Sequence, residues 1–241
     1  MKLFRYLGQH RFDALLLLMC LISVYLMTVA SSDPLASWIE ATPLAPAFHQ
    51  FQTGNEIIFN LAAGVISAVV MFYLLVRVPA YEQKVRIRAH LLETYLQYKE
   101  EVIYIFLGIL HGSIDTDLAK SLMSAPEFKD YFKAPSEVPG QDRTHYIMNN
   151  IEEHHLEKIK LESEILHSEL QYAATRIDIE DSDLHSFTRR ITKSLIRTKN
   201  WDLSYDGVEE VLGFYWQLFA GWSFVTGYQN SDPLEDRISR L

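Results

Sequence analysis

The sequence predicts an all-α membrane protein: an N-terminal two-helix transmembrane hairpin, residues 1–79, followed by an all-helical cytoplasmic domain, residues 80–241. Three observations carry this. Ile57 to Val76 is a run of 20 residues without a charge, enough at about 1.5 Å per residue to cross a hydrocarbon core of about 30 Å. An earlier apolar run extends from Ala14 to Ala30. Beyond Pro79, charged residues alternate with apolar ones at helical spacing, the mark of amphipathic helices.

The chain opens MKLFRYLGQHRFD, with Lys2, Arg5 and Arg11 ahead of the first apolar run. Cleaved signal peptides begin in the same way. This run is longer than a usual signal core, and SSDPLASWIE after it is a poor cleavage site. A second apolar helix downstream completes a hairpin, so residues 12–30 read as the first transmembrane helix. Asp13 lies at its entrance, where pairing with Arg11 or capping the helix accounts for it.

The loop 31–56 contains no Lys or Arg, while Asp33, Glu40 and Glu56 are acidic. Lys2, Arg5 and Arg11 precede the first helix, and Arg77, Lys84, Arg86 and Arg88 follow the second. Basic residues stay on the cytoplasmic side, so both termini are expected there, in a multi-pass protein of the inner membrane. Pro34, Pro43 and Pro46 forbid a long helix in the loop, and Trp38, Phe48 and Phe51 suit a membrane interface. The loop reads as a short lid on the outer leaflet, too small for a receptor domain.

The second helix, about 57–77, has one distinctive face. Asn60, Gly64, Ser67 and Met71 recur at helical spacing, flanked by Ala63 and Ala68. Gly64 with Ala68, and Ala63 with Ser67, are small-xxx-small pairs, which let two helix backbones approach closely in a membrane. An Asn amide in hydrocarbon requires a partner. Asn60, Gly64, Ser67 and Ala68 are therefore the candidate helix-contact residues. Three readings fit them: packing against the first helix, a homo-oligomer contact, or the lining of a narrow pore.

Pro79 marks the membrane exit, and Tyr81 to Leu110 is strongly helical. Leu91, Leu92, Tyr95, Leu96, Tyr98, Val102, Ile103, Phe106 and Leu110 form its apolar stripe. His111-Gly112 is a helix end, with Gly at the terminal position. Ser124-Ala-Pro-Glu127 has the capping-box pattern and opens a short helix to Phe132. Pro135, Pro139 and Gly140 make 134–141 a loop. Residues 144–176 read as one long helix with Ile147, Ile151, Ile159, Leu166, Leu170 and Ala173 on its apolar face. The acidic tract IDIEDSD precedes a helix at about 184–198. Asp206 to Glu209 resembles a cap for the last helix. Val211 to Tyr228 holds 18 residues without a charge. Gln217, Ser223, Thr226 and three glycines lower its hydrophobicity, and it reads as a buried helix closing the core on Trp216, Phe219 and Trp222 rather than as a third span.

The formal net charge of -9 argues against a general nucleic-acid partner. Cys20 is the single cysteine, so neither an intramolecular disulfide nor a cysteine zinc site forms. Glu152 and His155 have the Glu-x-x-His spacing of di-metal bundles, but such a site needs the motif from a second helix with further carboxylates facing inward, and the surroundings read as a charged face. No catalytic motif is present, and neither an enzyme activity nor a cofactor is expected. Arg189, Lys193 and Arg197 recur every four residues with Arg190 beside them, a basic stripe for a phosphate-bearing ligand, a membrane surface or an acidic partner. Salt bridges to the acidic helix before it are the plainer account.

The start NEIIFNL, the following GVIS and the end Val76-Arg-Val-Pro79 before a basic helical segment resemble a group of uncharacterised bacterial proteins with two transmembrane helices and a helical cytoplasmic domain. The resemblance covers about Asn55 to Lys99. It implies the architecture and an association with phage-defence regions, and it names no active residue. The expected function is an inner-membrane interaction or effector module. Its cytoplasmic domain binds a protein partner or ligand, and its helices anchor it in the bilayer and assemble it as a homo-oligomer. An oligomeric pore or channel, and a membrane-anchored metal-dependent enzyme, are the alternatives.

Overall fold

The computed structural model describes residues 2–31, 48, 55–112, 115–177, 182–223, 225 and 227–240. The chain is mostly helical and divides into two compact units, Met1–Gln83 and Lys84–Leu241. Most of the 31–56 loop, where the outer lid was read, lies outside the described residues, as does most of the acidic tract.

The first unit pairs α1 (Lys2–Ala30) with α2 (Asn55–Phe72). Two stretches, Arg11–Ala30 and Asn55–His111, are long and apolar enough to cross a membrane. Ser23, Val29, Ala30 and Ala62 are buried. Phe12 meets Phe72 edge to face with ring centroids 5.8 Å apart. The start of α1 therefore lies beside the end of α2. Asp13 accordingly pairs with Arg77, at 2.5 Å, and not with its sequence neighbour Arg11.

A single wide turn, Tyr73–Arg77, follows α2, and the Val78 N–H reaches back five residues to the Tyr73 carbonyl. Pro79 comes directly after. Its ring needs room where a regular helix places the preceding turn, and it has no N–H to contribute. The π turn widens the helix at that point, so α3 (Val78–His111) continues through the proline.

In the second unit, α3 supplies Leu91, Tyr95, Tyr98, Val102, Ile103, Phe106 and Leu107 to the core. It ends at Gly112, whose φ of 66° is the left-handed conformation of a helix terminus. Helices α4 (Thr116–Ser121) and α5 (Ala125–Lys133) follow. Ser124 is the N-cap of α5, though its side chain makes no capping bond.

The long helix expected over 144–176 is two helices, α6 (Arg143–Asn150) and α7 (Glu153–Arg176). Asn149 and Asn150 are poor helix formers, Ile151 turns extended, and Glu152 restarts the chain as an N-cap. Helix α8 (Ser182–Arg197) and a short 3-10 turn (Thr198–Asn200) lead to α9 (Tyr205–Phe219). The cap of α9 is Ser204, which accepts from the Gly207 N–H at 3.1 Å, rather than Asp206.

The uncharged run 211–228 is not one helix. α9 stops at Phe219, and Gly221, with φ 62°, turns the chain into a small antiparallel hairpin, β1 (Trp222–Ser223) with β2 (Gly227–Tyr228). Phe219 closes the core as expected, joined by Tyr215, while Trp222 belongs to the hairpin. The final helix is α10 (Pro233–Ile238). Helices α3, α7 and α9 meet where the buried hydroxyls of Tyr98, Ser163 and Tyr215 share hydrogen bonds of 2.9–3.4 Å. Burial pushes the Tyr215 phenol up to about 12 and raises the Tyr98 phenol well above the ordinary tyrosine range, so both stay protonated.

Candidate functional site

On α2, Ala62 is buried and Ile66 and Val69 are half-buried, which places the α1 contact on that stripe. Asn60, Gly64, Ser67, Ala68 and Met71 are exposed within the chain, and Ala63 lies at the boundary. Around Gly64 no heavy atom beyond its own turn lies within 4 Å of where a β-carbon would sit. The face with the small residues is thus not the one that α1 covers.

On α8, Phe187 and Leu195 point into the core, and Arg189, Arg190, Lys193 and Arg197 are all exposed. None of the four makes an ion pair among the described residues. The bridge to the acidic helix is made by Lys199, which reaches Glu164 at 2.8 Å. The four basic groups form a ridge with no ion pair among the described residues, in a protein whose net charge is -9.

The Glu152/His155 pair is a helix-capping device. The Glu152 N–H donates to His155 Nδ1 at 3.1 Å, which leaves the ring proton on Nε2 when the imidazole is neutral. His154 stacks on His155 with centroids 3.7 Å apart. Among the described residues, no three His, Cys, Asp or Glu side chains are grouped to hold a metal ion. Burial, and then the neighbouring His154, hold His155 below the ordinary histidine range, against a smaller upward pull from Glu152. The unfolded chain therefore takes up this proton at a higher pH than the folded one. Its contribution to stability is complete above the ordinary histidine range and declines as pH falls through it, from about pH 7 towards 5. His155→Gln should flatten that part of the melting-temperature profile relative to the parent chain; superimposable profiles would show that His155 titrates alike in both states.

No family model, curated protein or solved structure matches this chain. Its chemistry is therefore read from its own surfaces.

Two of the clefts among the second unit's described residues have substantial volume. One, of about 250 Å³, lies between α3 and α7, lined by Glu101 of α3 and by His155, Leu161 and Glu162 of α7. Burial, and then Glu101, raise the Glu162 carboxyl. The other, of about 370 Å³, lies between α6 and α9. Its walls are Met148, Leu212, Trp216 and Trp222, and its rim carries Lys133 and Glu209. Of the two tryptophans expected in the core, Trp216 is partly buried and packs against it while also lining the cleft, and Trp222 is partly exposed in the hairpin. The signal was present: Tyr205, Glu209, Leu212, Gly213 and Trp216 fall on one side of α9 at helical spacing.

One further site was missed. Lys99 is wholly buried, and its ammonium meets Asp232 Oδ2 at 2.7 Å. Tyr95 donates to the same oxygen at 2.6 Å, while Asp232 Oδ1 caps α10 by accepting from the Leu234 and Glu235 N–H groups. The Lys99 ammonium also lies 5.3 Å from the Phe219 ring centroid. Lys99 and Tyr95 are fully buried and Asp232 nearly so, and this cluster holds the C-terminal helix against α3.

Proposed function

We propose that the protein is a membrane-anchored interaction module. Helices α1 and α2 cross the inner membrane as a hairpin with both termini in the cytoplasm, as the basic residues on either side of an acidic loop require. The Asn60, Gly64, Ser67 and Ala68 face brings copies together. The second unit meets an acidic ligand or protein partner through Arg189, Arg190, Lys193 and Arg197.

The observation that carries this reading is the free face of α2. Small residues and an amide are retained there although α1 packs on the Ala62 stripe. Hydrocarbon facing lipid needs neither feature, whereas a helix–helix contact uses both. The basic ridge supports the cytoplasmic half of the reading, because four exposed cations with no ion pair among the described residues favour an anionic surface.

Light scattering of the detergent-solubilised chain, with detergent subtracted, tests it. The parent chain should have the mass of a discrete oligomer, and Gly64→Leu should reduce it to one copy, since Leu separates the backbones. A monomeric parent, or an unchanged mass in Gly64→Leu, refutes the contact.

A further inference from the structure

The cleft between α6 and α9 is built as a docking groove, and its chemistry differs from that of the α8 ridge. About 370 Å³ falls in the size range of ligand pockets. Aromatic walls with a polar rim are the composition of protein interfaces, where Trp and Tyr side chains carry most of the binding energy. Tyr205, at one end, is 70 % exposed, far more than a tyrosine with only a core role.

The floor is open. Gly213 sits in the middle of α9, where glycine is a much poorer helix former than alanine. Nothing lies within 4 Å of where its β-carbon would be, so packing does not demand it. What a glycine provides there is depth.

The rim is polarised. At the Trp216 end, the Lys133 ammonium lies 4.5 Å from the Tyr228 ring centroid and 5.9 Å from that of Trp216. The Trp216 Nε1–H donates to the Tyr228 hydroxyl at 3.0 Å, which fixes the two rings under it. Lys133 is exposed and makes no ion pair among the described residues. Glu209 stands two helical turns earlier on α9, about 10 Å along the axis, also exposed and unpaired among the described residues. Asp142, on the same side, already accepts from the His145 N–H at 2.8 Å.

We propose that this cleft docks an extended peptide segment of a protein partner: an apolar or aromatic anchor side chain fills the space over Gly213, an acidic residue meets Lys133, and a basic residue meets Glu209. Three residues of extended chain cover about 10 Å, the same as the rise along α9 from Glu209 to Trp216, the ring beside Lys133. This surface stands independently of the α2 contact and of the α8 ridge.

The test uses the full chain in detergent, labelled with 5-fluorotryptophan, and follows its four tryptophans by fluorine NMR. The probe is the peptide amide N-acetyl-Glu-Leu-Trp-Lys. The control carries Gln at both charged positions. The charged peptide should shift the Trp216 and Trp222 signals saturably and leave buried Trp201 in place. Lys133→Glu should weaken binding about fivefold, the effect of an exposed ion pair. Adding Glu209→Lys reverses the rim, and the peptide should recover its affinity by turning round. Gly213→Leu, which has room to fold, should abolish the shifts. Four results would overturn the proposal: no saturable shift, equal binding by the Gln control, full binding to Gly213→Leu, or shifts that follow detergent concentration alone.

Discussion

Asp232→Ala should destabilise the helical unit by about 3–5 kcal/mol, the largest effect of any single polar substitution in it. The Lys99 ammonium is fully buried and its ion pair is with Asp232. Without that carboxylate the ammonium must lose its charge or draw water into the core. Two further losses come with it. The Tyr95 hydroxyl loses its acceptor, and α10 loses its N-cap, worth about 1 kcal/mol. Thermal unfolding of the full chain in detergent, followed by helical circular dichroism, measures this. The paired substitution Lys99→Met with Asp232→Leu provides the contrast. It removes both charges and leaves neither uncompensated, so it should recover most of the lost stability. An Asp232→Ala protein that melts with its parent would mean that Lys99 is hydrated and that the C-terminal helix is not clamped.

Gly221→Ala should cost about 3 kcal/mol, at the upper end of ordinary single substitutions. Two effects combine. The backbone φ of 62° is one that residues with a β-carbon rarely adopt. A β-carbon there would also lie 2.5 Å from the Ser231 carbonyl oxygen and 2.6 Å from that of Gln229. These are main-chain atoms of the segment that carries Asp232 to Lys99, and the Gln229 N–H donates to the Gly221 carbonyl at 2.8 Å. The clash therefore acts on the same clamp. Limited proteolysis should show earlier cleavage after α9, alongside the lower melting temperature. Cleavage and melting both unchanged would mean that the hairpin relaxes without moving Asp232.

How much was legible follows from where each signal resides. The α3 stripe was readable because Leu91, Tyr95, Tyr98, Val102 and Phe106 recur within one helix, and all are buried. Lys99 sits in that stripe four residues after Tyr95, where it looks like a charged interruption. Its partner lies 133 residues further on, beyond any local pattern. The break after Asn150 was missed because Ile147, Ile151 and Ile159 keep an apolar rhythm across it. Only the cap formed by Glu152 and His155 decides that the chain restarts, and that same spacing had suggested a metal ligand pair. The uncharged run after Val211 looked continuous because hydrophobicity does not record that Gly221 takes a positive φ.

By itself the sequence determined that two stretches are long and apolar enough to cross a membrane, that the remainder is mostly helical, and that α3 ends at Gly112. Those properties depend on uncharged length, on a 3.6-residue period and on one glycine, all read within a few turns of chain. Only the tertiary structure decided which stripe of α2 meets α1, that Asp13 pairs with Arg77, that Trp222 walls a cleft instead of filling the core, and that Lys99 is neutralised by Asp232. Each of these is a choice between surfaces of similar composition. The choice is made by side chains far apart in the chain, whose mutual burial has no periodic trace in either partner.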